Sequence, residues 1–241
     1  MSVRPDGRLG VLARGALGSD ILVRVGTAPS GPPRRPDRGT SPEMQVVLGG
    51  YGGDMDGIAR ARHHLDPRVR AARLGALQRL GRLTLADLTE GFADADASVR
   101  LRALEAAAEH RLAPKQDQRR QELCGLLTEG LGDPDALVAE AAAWALGEHK
   151  ASEAVGALAE MARAHPDPRC REAAVAALGA IGHRGALQTV IDALADRPPV
   201  RRRAVVALAA FDGSLAEDAL RRCLQDRDWQ VRQSAEALLR S

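Results

Sequence analysis

The sequence has almost no aromatic side chains: two Phe, two Trp and one Tyr in 241 residues. A thick globular core uses such rings as bulky fillers. Here Ala, Leu and Val must fill the interior, which suits closely approaching helices. Lysine is confined to Lys115 and Lys150, and 34 basic residues nearly cancel 32 acidic ones. A net charge of +2 provides no general attraction to nucleic acid or to an anionic membrane surface. Cysteine is sparse and odd in number. Cys124, Cys170 and Cys223 lie far apart, each at an apolar position of an expected helix. That predicts buried small hydrophobes and a reducing, cytoplasmic compartment. No apolar run is long enough to span a bilayer, and the N-terminal segment lacks the apolar stretch of a secretory signal. Phosphate-binding glycine loops, nucleophile elbows and zinc-spaced Cys/His sets are missing too, so no catalytic, cofactor or metal residue is assigned.

Residues 1–53 differ from the rest. Ser30 to Pro42 is a Pro/Gly/Arg/Ser tract that buries too little apolar surface to offset its ordering entropy. Gly10 to Val25 carries scattered apolar residues, and Gly49-Gly-Tyr-Gly-Gly53 reads as a second flexible stretch. The segment is expected to be a poorly ordered tail or a gene-start artefact, with Met44 and Met55 as alternative starts. Residues 54–241 form the expected repeat domain.

From Asp54 onward one pattern recurs. Aligned on the apolar residue before an arginine, the anchors are Val69, Val99, Val138, Cys170, Val200 and Val231. They are separated by 30, 39, 32, 30 and 31 residues, and the long gap holds the polar stretch Leu112 to Gln118. Apolar positions 0, 4, 5 and 8 after each anchor make a helical stripe, not a strand. A second helix precedes each one: Leu83 to Phe92, Gln118 to Leu131, Glu153 to Ala164, Gly185 to Ala195 and Ser214 to Gln225, with Asp54 to His64 for the first. Thr84, Ser152 and Ser214 are expected N-caps, the last with Glu217 in a capping box. Gly81, Gly132, Gly147, Gly182 and Gly213 are expected stops. The unit is helix A, an Asp/Pro turn and helix B, about six times over. No unit this short buries its apolar face alone, so neighbours must stack into a solenoid.

Asp66-Pro-Arg-Val-Arg-Ala-Ala72, Asp167-Pro-Arg-Cys-Arg-Glu-Ala-Ala174 with Ala177-Leu-Gly179, and Asp226 to Ala235 resemble the HEAT repeat family, in particular its short PBS-lyase-type repeats. The resemblance covers roughly residues 54–241. It implies an all-α, right-handed α-α superhelix whose concave surface is lined by helix B. It also implies an Asp–Arg ladder between adjacent repeats. The arginines after the anchor are Arg70, Arg100, Arg171, Arg201 and Arg232, with Ala139 the exception; the acids expected opposite them are Asp66, Asp96, Asp135, Asp167, Asp196 and Asp228. A basic stripe for an acidic partner is the competing reading of these arginines. The same aspartates stand where helix B needs N-caps.

Positions two, three and six after the anchor are expected on the concave face. They hold Arg102, Glu105, Glu140, Trp144, Glu172, Arg202, Arg203 and Gln233, a set of mixed sign that serves as the candidate surface for a protein or peptide partner. Trp144 is expected either as a space-filling core residue or as an exposed anchor of the kind that dominates interfaces. Trp229 is expected to pack under the last helix. Two other function classes are weighed. Deoxyhypusine hydroxylase, a HEAT-repeat di-iron enzyme, uses His-Glu dipeptides; this chain has Arg171-Glu172 at the matching place and reversed pairs at Glu109-His110 and Glu148-His149. Phycobilin lyases share the repeat type, but no chromophore pocket is evident. Arg201-Arg202-Arg203 is the densest basic cluster and the basis of a nucleic-acid reading, although one repeat alone carries it.

Overall fold

A computed structural model describes residues 39–110 and 117–240. The tract before Gly39 and most of the Leu112 to Gln118 insertion lie outside the described residues. Every regular element among the described residues is helical. Helices α2 (Met55–Arg60), α4 (Leu85–Phe92), α6 (Asp117–Gly130), α8 (Val155–Ala164), α10 (Leu187–Asp192) and α12 (Ser214–Cys223) form the A layer. Helices α3 (Pro67–Arg79), α5 (Ala97–Glu109), α7 (Ala136–Glu148), α9 (Pro168–Ile181), α11 (Pro198–Leu208) and α13 (Trp229–Leu239) form the B layer. Each B helix packs on the next, and each A helix packs on its own B helix. The six expected pairs are therefore present. Short 3₁₀ turns at Ser152–Ala154 and Arg184–Ala186 lead into α8 and α10.

One helix precedes these pairs. Residues 42–52, assigned from sequence to the tail, form α1 (Pro42–Gly52), which packs on α3 as a B helix would. Val46, Gly49 and Gly50 are its buried residues. One of the glycines that suggested flexibility, Gly50, serves close approach instead. A Cβ on Gly50 would lie 2.9 Å from the Ala76 Cα. Ser41 caps this helix through its side chain, and Gly53 ends it with φ 75°.

The same register recurs along the B layer. The ninth residue after one anchor meets the seventh after the next: a Cβ on Gly147 would lie 3.1 Å from the Ala177 Cα, and one on Gly179 would lie 2.8 Å from the Ala207 Cα. Helix backbones this close leave no room for rings, which accounts for the alanine-rich, ring-poor core. Gly147 is thus not a stop. The helix runs on to Glu148, and Lys150 takes the left-handed conformation at φ 51°. Gly132 also lacks positive φ, whereas Gly81, Gly182 and Gly213 adopt it.

Helix starts divide by residue type. Asp66, Asp96, Asp135, Asp167 and Asp228 each accept the N–H two residues on, at 2.9–3.0 Å. Thr84 forms a capping box with Asp87. Ser152 and Ser214 do not cap: the first bonds Glu153, the second follows the cap position Gly213, and Glu217 pairs with Arg221 instead. The three cysteines are buried, and burial pushes their thiols up to about 11. Arg73 occupies a slot that is alanine in the other repeats. It is buried and paired with Asp87 of the next A helix.

Candidate functional site

The arginine after each anchor joins two repeats, but through a different acid from the one expected. Arg70 donates through Nε and Nη2 to both oxygens of Asp94, at 2.7 Å. Arg100 does the same to Asp133, Arg171 to Asp196 and Arg201 to Asp226, at 2.7–3.0 Å. Such bidentate pairs match the planar fork of arginine to a carboxylate. Of the aspartates assigned to the ladder, only Asp196 holds the place given to it. Asp66, Asp96, Asp135 and Asp167 are N-caps, since a side chain that accepts the N–H of its own helix points along that helix. Asp228 caps as well and also takes Arg202 at 2.7 Å. The rung acid sits five residues before the anchor, or four at Asp196, where the turn carries an extra proline. Its inner oxygen accepts from the capping residue's own N–H in Asp94, Asp133 and Asp226. The paired guanidinium holds the carboxyls of Asp94, Asp133 and Asp196 below the usual range. Each arginine also donates through Nη1 to a carbonyl of its own turn. Arg232, in the last described repeat, keeps only that bond, to the Asp226 carbonyl.

The ladder lacks a rung after α7. There Ala139 replaces arginine, and His165 stands at the acid position. His165 Nδ1 accepts the Asp167 N–H at 3.1 Å, so it keeps the local turn bond while offering no charge for a guanidinium. His64 does likewise for Asp66 at 3.0 Å, and in that register the preceding helix α1 carries Pro42 where the arginine would be.

The candidate helix-B surface resolves into committed and uncommitted side chains. Arg102 donates to Gln78 at 2.6 Å and to Glu105 at 3.2 Å. Glu172 accepts from Arg203 at 3.2 Å. Arg202 is exposed but tied to Asp228, and Gln233 is exposed. Arg201 is buried in its rung. The Arg201–Arg203 cluster is therefore met arginine by arginine with acids of its own chain. Trp144 is 44 % exposed, which overturns the core-filling reading: its position, six after the anchor, reaches solvent at its counterparts Glu105, Ala176, Val206 and Ala237 and is buried at Gly75 in the first repeat. Trp229 is 60 % exposed rather than packed under α13, because it occupies the first helical position and projects from the turn. Glu140 is half-buried, one helical turn before Trp144, and has no hydrogen bond or salt bridge with the described residues. Burial raises its carboxyl, Asp167 and Glu172 add to the rise, and Arg169 opposes it.

The reversed Glu-His pairs come together at the far end of helix B. His149 Nε2 lies 2.7 Å from the Ala107 carbonyl, and burial followed by the neighbouring His149 lowers the His110 imidazole. Glu109 accepts from Gln78 at 2.7 Å. Among the described residues no three His, Cys, Asp or Glu side chains converge as metal ligands would. On the A side, sequence reasoning missed a cleft of about 250 Å³ lined by Thr89, Phe92, Leu126 and Glu129, with the Arg100–Asp133 rung among its walls. No helix among the described residues is long and apolar enough to cross a membrane.

With two layers of paired helices and a repeating rung in view, comparison with known families is decisive for the second half. The profile of HEAT repeats matches residues 125–209 and 157–240. Residues 125–240 are HEAT repeats. Known structures of like architecture include the Escherichia coli protein YibA, 19 % identical, covering 85 % of this chain and 77 % of that one at a TM-score of 0.57. A designed armadillo repeat protein is also 19 % identical, covering 76 % of this chain and 97 % of its own at 0.53. Another, solved in complex with the peptide (KR)4, is 20 % identical, covering 83 % and 99 % at 0.50. At these identities the likeness is one of fold. No curated protein matches the chain. The same paired-helix architecture runs through the whole described array, and α1 extends it by one B helix at the N-terminal end.

Proposed function

We propose that this protein is a non-catalytic HEAT-repeat scaffold that binds a protein or an extended peptide along its concave helix-B face. The observation that carries the reading is Trp144. In a chain with two tryptophans, this one stands 44 % exposed in the middle of the B layer, at a position that packing leaves free. Exposed aromatic anchors supply a large share of interface energy. The same position holds Ala176 and Val206 in the next two repeats, and Val206 is itself exposed, so an apolar line runs from α7 to α11. A designed solenoid of like fold holds a peptide, which supports a peptide over a small molecule. The arginine cluster favours nucleic acid less than its density suggests, because Arg201, Arg202 and Arg203 each have an acidic partner within the chain.

Selection of random decapeptides on the wild-type protein, followed by rebinding to a Trp144→Ala, Arg202→Ala variant, tests the face. Recovered peptides are expected to lose at least about tenfold in affinity on the variant, the order expected for an interface anchor. Undiminished rebinding would overturn the assignment.

A further inference from the structure

Among the described residues the half-buried acidic side chains nearly all have a partner, whereas most unpaired acids are exposed. Four aspartates form rungs and six cap helices, Asp54 among them, while Glu90, Glu105, Glu109 and Glu172 meet Arg62, Arg102, Gln78 and Arg203. Glu140 breaks this pattern, as does Glu43 on α1. Glu140 is half-buried on the outward side of α7 and has no partner among the described residues. An unpaired carboxylate in a partly desolvated place is costly unless something positive completes it. Four residues separate it from Trp144, which puts carboxylate and indole on one helix face, a turn apart. The charges around it are Glu172 and Asp167, both negative, and Arg169, whose guanidinium is held by Asp167 at 2.8 Å. The patch is thus an exposed aromatic ring beside an uncommitted carboxylate, with negative potential behind both.

We infer that this patch receives an arginine side chain of an extended peptide, its guanidinium stacked on Trp144 and hydrogen-bonded to Glu140. The inference rests on the helix-B reading above and names the chemistry of its occupant. A guanidinium fits both surfaces at once: it stacks on an indole face and presents paired N–H groups to a carboxylate. A lysine ammonium makes the charge contact without the stack, and a neutral side chain leaves Glu140 unsatisfied. Extension beyond the patch follows from spacing. Neighbouring B helices lie about 10 Å apart, close to three residues of extended chain, so a peptide anchored at Trp144 continues over Ala176 toward Val206.

The test uses a Trp229→Phe protein, in which Trp144 is the sole tryptophan and reports through its fluorescence. Three probes are titrated: (Gly-Ser-Arg)4, the same peptide with citrulline for arginine, and the same with glutamate. Citrulline keeps the shape and removes the charge while leaving the protein untouched. The arginine peptide is expected to bind about tenfold tighter than the citrulline peptide, and Glu140→Gln is expected to erase that difference. The glutamate peptide is expected not to bind. Equal binding of arginine and citrulline peptides, or an arginine preference that survives Glu140→Gln, would overturn the inference. If decapeptides selected on the wild type still depend on Trp144, only the arginine assignment falls. If they do not, the helix-B reading falls with it.

Discussion

Two neighbouring junctions in the B layer show what the charge ladder does. Between α9 and α11, Arg171 reaches Asp196 with two hydrogen bonds while Gly179 seats Ala207 against the backbone. Between α7 and α9 the backbones meet in the same register, Gly147 on Ala177, yet the rung is gone: Ala139 faces a turn that carries His165. Close backbone packing is therefore the common element and the rung an addition to it. Both ends of the rung are missing together, as they are at Pro42 and His64. Neither junction leaves a half-made pair, which follows from the penalty for an uncompensated buried charge.

Four sets of substitutions and one pH series separate these contributions. The largest effect is expected from Gly179→Val, which forces side-chain atoms onto the Ala207 backbone. A loss of about 3 kcal/mol of unfolding free energy is predicted from overpacking, measured by urea denaturation. Asp196→Ala keeps the packing and orphans Arg171; about 2 kcal/mol is predicted, because Arg171 retains its bonds to the His165 and Pro166 carbonyls. The rung carboxyls are held below their unfolded values, so the unfolded chain binds protons first and stability falls with acidity. Denaturation midpoints are expected to hold from neutral pH to about pH 4 and to drop below it, with a shallower drop in Asp196→Asn. Installing the missing rung with Ala139→Arg and His165→Asp is expected to couple favourably by about 1 kcal/mol in a double-mutant cycle; zero coupling would mean that this junction cannot accept a rung. The smallest effect belongs to Trp144→Ala, within about 0.5 kcal/mol for an outward-facing side chain.

Much of the fold was legible because the repeat is its own control. Six apolar anchors in phase with an arginine after five of them leave little choice but stacked helix pairs. The rung partner was misjudged by two residues because the turns carry paired aspartates: Asp94 and Asp96, Asp133 and Asp135, Asp226 and Asp228. Sequence alone does not say which of two acids caps its own helix and which crosses to the neighbour. The histidines were the available clue, since they replace the first acid of the pair only where the preceding arginine is missing. Helix α1 was missed because Gly49 and Gly50 read as flexibility, while both are buried and Gly50 makes contact at backbone distance. Trp144 stood open between filler and anchor because a large ring among alanines suggests filling, while its register position faces outward in the repeats after the first. Glu140 gave no signal of its own, since being unpaired is a property of its surroundings.

Hydrogen exchange of the backbone amides, with and without the tightest decapeptide selected on the wild type, tests the functional reading most directly. Protection is predicted along α7, α9 and α11 around Trp144, Glu172 and Val206, with α4, α6 and α8 unchanged. Protection confined to α4 and α6, over the cleft between Phe92 and Leu126, would contradict it.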